Sequence, residues 1–122
     1  MRSLKLLCAE DNPYGRVVIN TSLTELGHRI DFADNGEAVV KAVARGGYDA
    51  VLMDVALPVF DGLQATRRIR KLPGAVGKTP IIGISGRTEA GDERAALSAG
   101  MNFYFTKPVS PAKLAKTLAS LR

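Results

Sequence analysis

Chemically active side chains end or follow four of the five short apolar runs in this sequence. In chain order they are Glu10, Asp11, Asp54, Ser85 and Lys107. An aspartate can accept a phosphoryl group as an aspartyl phosphate, and an ammonium and a hydroxyl can neutralise and position that group. Crowded carboxylates repel one another, so this set is best explained by a cation among them. Oxygen-only ligands favour a hard ion such as Mg²⁺, or Mn²⁺.

The elements that must position these groups form a repeating pattern. Apolar runs alternate with helical patterns five times, which predicts βα units and a parallel sheet covered on both faces by helices. The predicted strands are Leu4 to Ala9, Arg29 to Ala33, Ala50 to Met53, Ile81 to Ser85 and Asn102 to Phe105. The second alternates apolar with polar residues, as an edge strand does. Ligands of such sheets gather at the carboxyl ends of the strands, where the active side chains stand.

Helix boundaries are marked by capping residues. Polar side chains precede a proline at Asn12-Pro13 and at Ser110-Pro111, Asn35 precedes the second helix, and Gly100 follows the fourth. The first three positions predict N-caps, and Gly100 predicts a left-handed C-cap. The segment Pro73 to Thr79 is predicted to be a loose connection.

Composition excludes several classes of protein. The 122 residues fit one domain, and there is no apolar run of about 18 residues that could span a membrane. A cytoplasmic location is therefore expected. The lone Cys8 is predicted to be buried in the core, and His28 to be a surface or turn residue.

The net charge of +5 does not predict a nucleic-acid-binding protein. The densest basic cluster comprises Arg67, Arg68, Arg70 and Lys71. Apolar residues recur at helical spacing between them, which is typical of the solvated face and C-terminal end of an amphipathic helix. No nucleic-acid-binding motif accompanies the cluster, so direct binding of DNA or RNA is not expected.

The complete set of motifs resembles the receiver domain of two-component response regulators over essentially the whole chain. The motifs are Glu10-Asp11, Asp54, Leu57-Pro58, Asp61-Gly62, Ile84-Ser85-Gly86 and Lys107-Pro108. The resemblance implies that residues 1–122 form one receiver domain. It also implies a flavodoxin-like, doubly wound sheet of five strands in the order 2-1-3-4-5 with five helices.

The resemblance also implies a role for each site residue. Asp54 is similar to the phosphoacceptor, Asp11 to the acid that binds Mg²⁺ directly, and Glu10 to the acid that acts through water. Ala56 would give a backbone carbonyl to the metal, Lys107 would pair with the phosphate, and the peptide bond between Lys107 and Pro108 would be cis. Ser85 is similar to the switch hydroxyl that moves to the phosphate, and Tyr104 to the switch aromatic that then turns inward from a more exposed position.

Three positions bear on the behaviour of the phosphorylated form. Gly86 stands where the family often has alanine, and glycine adds backbone freedom to the loop that carries Ser85. The resemblance also implies that Ala56 and Arg87 flank the site, at positions that vary in the family and affect how easily water reaches the phosphoaspartate. The small Ala56 would open the pocket, whereas the long Arg87 would cover it.

Two other kinds of protein share part of this pattern. A haloacid-dehalogenase-type phosphohydrolase also uses an aspartate after a strand, but it needs a second aspartate two residues later, where this chain has Ala56. A degenerate receiver that serves only for docking would lack one of the acids, Asp54 or Lys107, and this chain has them all. The resemblance implies that the isolated domain is mainly a signalling switch that catalyses its own phosphorylation and slow dephosphorylation, and that in a hybrid protein it would be attached to a histidine kinase.

The resemblance implies protein partners. They are a histidine kinase or a histidine phosphotransfer protein, which donates the phosphoryl group, and a second copy of the chain. The second copy would bind through the fourth helix, fifth strand and fifth helix, the surface that phosphorylation is expected to switch. The chain could be a single-domain regulator or a segment of a longer protein, and Leu63 to Arg70 resembles the corresponding segment of receivers attached to hybrid histidine kinases.

Overall fold

The computed structural model describes residues 3–59, 61–86 and 91–121. Strands and helices alternate along the chain, as predicted. In order they are β1 (Lys5–Ala9), α1 (Pro13–Glu25), β2 (Arg29–Ala33), α2 (Gly36–Arg45), β3 (Ala50–Asp54), α3 (Gly62–Arg70), β4 (Ile81–Ser85), α4 (Asp92–Ala99), β5 (Phe103–Thr106) and α5 (Pro111–Ala119).

The five strands form one parallel sheet in the order β2-β1-β3-β4-β5. This confirms the flavodoxin-like topology and the edge position of β2. Every residue of β3 and β4 is buried, as expected for central parallel strands covered on both faces. Helices α1 and α5 pack on one face around Leu23, Leu114 and Leu118. Helices α2, α3 and α4 cover the other face.

The predicted caps begin and end the helices. The side chain of Asn12 accepts a hydrogen bond from the amide of Tyr14, that of Asn35 from Ala38, and that of Ser110 from Lys113. Gly100 closes α4 with a φ of 116°, a left-handed conformation that favours glycine.

Some boundaries differ from the prediction. β1 and β5 begin one residue later than expected, and β3 includes Asp54 as its last residue. The segment Pro73 to Thr79, predicted to be loose, contains a 3-10 helix at Ala75–Lys78.

Two polar residues have environments that the sequence did not predict. His28 is buried rather than exposed, and its Nδ1 atom accepts a hydrogen bond from the amide of Leu4 at 3.0 Å. Arg70 does not belong to a solvated face, because its guanidinium donates hydrogen bonds to three backbone carbonyls and to Asn102.

Cys8 is buried in the core, as predicted, and burial raises the pKa of its thiol to about 12.

Among the described residues, no helix is both long enough and apolar enough to cross a bilayer.

Candidate functional site

The sheet brings four strand ends together at one edge. The register pairs Ala9 with Met53 and Ser85 with Thr106, so the residues after β1 and β5 lie at the same level as the ends of β3 and β4. Strand direction and register thus bring side chains as far apart in sequence as those of residues 10 and 107 to the same edge of the sheet. This is the edge at which open parallel sheets bind their ligands.

Asp54 lies at the centre of this edge and is 7% exposed. Its Oδ1 atom accepts a hydrogen bond from the amide of Ala56 at 2.9 Å, and its Oδ2 atom accepts one from Lys107 Nζ at 2.8 Å. The backbone of the following loop and one ammonium therefore fix the orientation of the carboxylate.

Lys107 connects two carboxylates. Its Nζ atom lies 2.8 Å from Asp54 Oδ2 and 2.9 Å from Glu10 Oε1. Its backbone amide donates to the carbonyl of Ser85 at 2.7 Å, and the peptide bond to Pro108 is cis, the isomer that the resemblance implies. Partial burial alone would lower the pKa of Lys107, but the hydrogen bonds and charges of Asp54 and Glu10 outweigh it and raise that pKa above 10.5.

The acidic pair completes the site. Glu10 is 2% exposed, whereas Asp11 is exposed at the mouth. One carboxylate oxygen from each of Glu10, Asp11 and Asp54 lies within 4.8 Å of the others. Burial raises the pKa of Glu10 above 4.5, and the neighbouring Asp54 raises it further, while Lys107 acts in the opposite direction. Three clustered carboxylate oxygens fit the ligand preference of a hard divalent cation.

The loop between β3 and α3 is held close to Asp54. Asp61 caps α3 by accepting from the amide of Gln64 at 2.9 Å, a role that the sequence analysis did not assign to it. Gly62 packs so closely on β3 that a Cβ atom there would overlap the carbonyl of Asp54. Val59 has a φ of 72°, which is unusual for a β-branched residue. Close packing therefore fixes the start of α3 against the end of β3, beside Asp54.

Ser85 and Tyr104 lie on the neighbouring strands β4 and β5. Ser85 is buried at 2% exposure. Tyr104 pairs with Gly83 in the register and is half-buried, and its enclosed hydroxyl finds no hydrogen-bond partner among the described residues. This position differs from the more exposed starting position that a switch aromatic would require. Arg87, expected to cover the site, lies outside the described residues.

Two residues near Glu10 were not identified from the sequence. Arg16 donates from Nε to the backbone carbonyl of Glu10 at 2.6 Å, and its guanidinium carbon lies 5.1 Å from the centre of the Phe32 ring. Gly15, in the first turn of α1, faces the Glu10 carboxylate. No motif marks either residue, because their contacts depend on how α1 packs against the end of β1.

Comparison with known proteins identifies the family. The sequence model described as "Response regulator receiver domain" matches residues 6–119. The chain is 36% identical over 119 residues to the sensor histidine kinase GacS of Pseudomonas protegens, covering 96% of this chain but 13% of that kinase. It is 39% identical over 125 residues to the two-component response regulator ORR41 of Oryza sativa subsp. japonica, covering 99% of this chain and 96% of that protein.

A solved structure gives the same result. The receiver domain of the sensor histidine kinase PA1611 from Pseudomonas aeruginosa PAO1 superposes with a TM-score of 0.88 at 39% identity, covering 98% of each chain. That structure has a magnesium ion coordinated in its active-site cleft. With the family sequence model, the shared topology and these relatives in agreement, the chain belongs to the response-regulator receiver family of two-component signalling, whose general function is to accept a phosphoryl group on an aspartate.

Proposed function

We propose that residues 1–122 form one receiver domain that accepts a phosphoryl group on Asp54 from a phosphohistidine donor. The observation that carries this proposal is the environment of Asp54, whose carboxylate is buried, oriented by Ala56 and paired with Lys107 at 2.8 Å. An Asp54 oxygen forms the new bond to phosphorus while the bond from phosphorus to the donor imidazole nitrogen breaks. The protein mainly orients the carboxylate and offsets charge, which is what phosphoryl transfer requires.

The site would hold Mg²⁺, or Mn²⁺, through Glu10, Asp11 and Asp54, with the backbone carbonyl of Ala56 as a further ligand. The clustered carboxylate oxygens and the magnesium site of the PA1611 receiver support this assignment. Bound metal would offset the repulsion between these acids and the incoming phosphate. We assign direct binding to Asp11 and binding through water to Glu10, so Asp11→Ala should weaken the affinity for Mg²⁺ more than Glu10→Ala does.

Mass spectrometry after incubation with Mg²⁺ and acetyl phosphate tests both points. The wild type should gain one phosphoryl group, and Asp54→Asn should gain none while its circular dichroism spectrum stays that of a folded protein. Asp34→Asn is a matched control, because Asp34 also follows a strand but is exposed. A phosphoryl group mapped to Ser85, His28 or another aspartate would contradict the assignment of Asp54. Unchanged phosphorylation in excess chelator would contradict the role of the metal.

The switch would run through Ser85. A phosphate on Asp54 adds strong acceptor oxygens, which recruit a hydroxyl donor and bias the packing of the loop that follows β4. Tyr104, on the neighbouring strand β5, is the aromatic side chain that we propose to respond to this movement of Ser85. Ser85→Ala should leave Asp54 phosphorylatable but uncouple it from the surface formed by α4, β5 and α5. Equal amide chemical-shift changes in α4 of the wild type and the variant, on adding beryllofluoride, would refute the relay.

The proposed partners are a histidine kinase or a histidine phosphotransfer protein. The proposed location of this interaction is the cytoplasm. An apolar surface beside the site supports protein docking, because Tyr14, Val17 and Val18 of α1 are 83%, 64% and 65% exposed. A cleft of about 410 Å³ separates this helix from α5 and reaches Lys107. Dimerisation through α4, β5 and α5 is a further proposal, supported by Leu97 of α4, which is 46% exposed.

A further inference from the structure

A glycine occupies the third position of α1, where local structure gives no reason for one. Gly15 is not among the residues with positive φ, so its backbone conformation is open to any amino acid. Glycine inside a helix is less stable than alanine. The third position also favours a glutamate or glutamine that caps the helix, and the first turn of α1 has no acidic side chain. The reason for Gly15 must therefore be tertiary.

The tertiary reason is the carboxylate of Glu10. A Cβ atom built on Gly15 would lie 2.6 Å from Glu10 Oε1 and 3.0 Å from its Cδ. These separations are shorter than van der Waals contact, so one of the two groups would have to move. The missing side chain of Gly15 thus leaves the space that the Glu10 carboxylate needs.

Glu10 cannot move aside without losing a contact of the site. Its side chain is 2% exposed, its Oε1 atom accepts from Lys107 at 2.9 Å, and its backbone carbonyl is held by Arg16 at 2.6 Å. Because the main chain of Glu10 is held and its side chain is enclosed, moving Oε1 would break the hydrogen bond from Lys107.

We infer that Gly15 is a positioning residue, present because it lets the long side chain of Glu10 direct its carboxylate to Lys107 and to the cation. The inference rests on the proposed function, since the role of Glu10 in cation binding is part of that proposal. It adds a size relation between two positions: with α1 packed as it is here, Glu10 keeps its hydrogen bond to Lys107 only if residue 15 has no side chain. An aspartate at residue 10 is one methylene shorter and would relax this requirement.

The size relation is tested with four proteins: wild type, Gly15→Ala, Glu10→Asp and the double variant. Mg²⁺ affinity is measured by following amide chemical shifts during a titration, and initial phosphorylation rates are measured with acetyl phosphate. Gly15→Ala should weaken Mg²⁺ binding about 10-fold, the lower end of the range for residues that orient metal ligands. With aspartate at residue 10, the same alanine should change the affinity less than about twofold, because the clash is relieved. Thr21→Ala, on the exposed face of α1, controls for helix propensity and should leave the affinity unchanged.

The outcomes separate this inference from the proposed function. If the wild type neither binds Mg²⁺ nor gains a phosphoryl group on Asp54, the proposed function fails. If the wild type behaves as proposed but Gly15→Ala has no effect, or has the same fold effect with either acid at residue 10, only the role of Gly15 is refuted. Circular dichroism checks folding. A Gly15→Ala protein that folds only when Glu10→Asp is also present would itself support the size relation.

Discussion

Arg70 offers the most direct test of how this structure holds its sheet and helices together. The guanidinium donates at 2.9 Å to the carbonyls of Gly77 and Gly100, at 2.8 Å to that of Thr79, and at 2.8 Å to the side chain of Asn102. These acceptors lie in the segments before β4 and β5. One side chain of α3 therefore forms hydrogen bonds to the segments that lead into two strands of the sheet.

Replacing Arg70 with alanine removes all four hydrogen bonds. At a net contribution of about 0.5–1.5 kcal/mol each, the sum is about 2–6 kcal/mol. Arg70 is half-buried, and water would reach some of the released carbonyls, so we expect a loss in the lower half of that range, about 3 kcal/mol. For a chain of this size, that loss corresponds to a decrease in Tm of roughly 10 °C. Arg70→Lys should lose about half as much free energy of unfolding, because one ammonium cannot reproduce the planar fork of donors.

Urea unfolding followed by circular dichroism measures this loss. Arg67→Ala is the matched control, since Arg67 is an exposed arginine of the same helix and its replacement should change the free energy of unfolding by less than about 0.5 kcal/mol. The m-value should stay constant across the variants, which would place the effect on folded-state stability. Equal losses for Arg70→Ala and Arg67→Ala would refute the reasoning, because they would mean that the four hydrogen bonds add no net stability.

The remaining predictions concern one carboxylate, one thiol and one imidazole. Burial, with Asp54 nearby, raises the pKa of Glu10, so the folded protein binds a proton at Glu10 more tightly than the unfolded chain does. This contribution to the free energy of unfolding is fully present below pH 4.5 and is lost as the pH rises through the folded-state pKa. Glu10→Gln should remove this pH dependence from urea unfolding curves, and a pH-independent difference between the two proteins would contradict it. Because burial raises the pKa of Cys8 to about 12, iodoacetamide should modify Cys8 only in denaturant, as followed by mass spectrometry; rapid reaction of the folded protein would refute this. His28→Ala should lower the free energy of unfolding by about 1–3 kcal/mol, since it leaves the buried amide of Leu4 without its acceptor; an unchanged urea midpoint would show that water replaces the imidazole.

Local patterns in the sequence were enough to place the strands, the helix caps and the candidate site residues. A central parallel strand is apolar throughout, as Ile81–Ser85 largely is, and a cap such as Asn12 acts on an amide two residues away. Side chains that follow such strands share one edge whatever the details of packing. The position of Asp54 and Lys107 at that edge therefore followed from short-range patterns, whereas the strand order and the proposed roles of the two residues came from the resemblance.

Contacts across elements were decided only in the folded chain. Arg70 resembled its exposed neighbours in sequence, but two of its acceptors lie 30 and 32 residues further along the chain. His28 follows a helix as a surface residue would, yet its acceptor atom meets an amide 24 residues before it. Gly15 is explained only by the carboxylate of Glu10, 2.6 Å from where its side chain would begin. Sequence periodicity specifies which face of an element is buried, whereas such contacts depend on distances of a few ångströms between packed backbones, which no single element encodes.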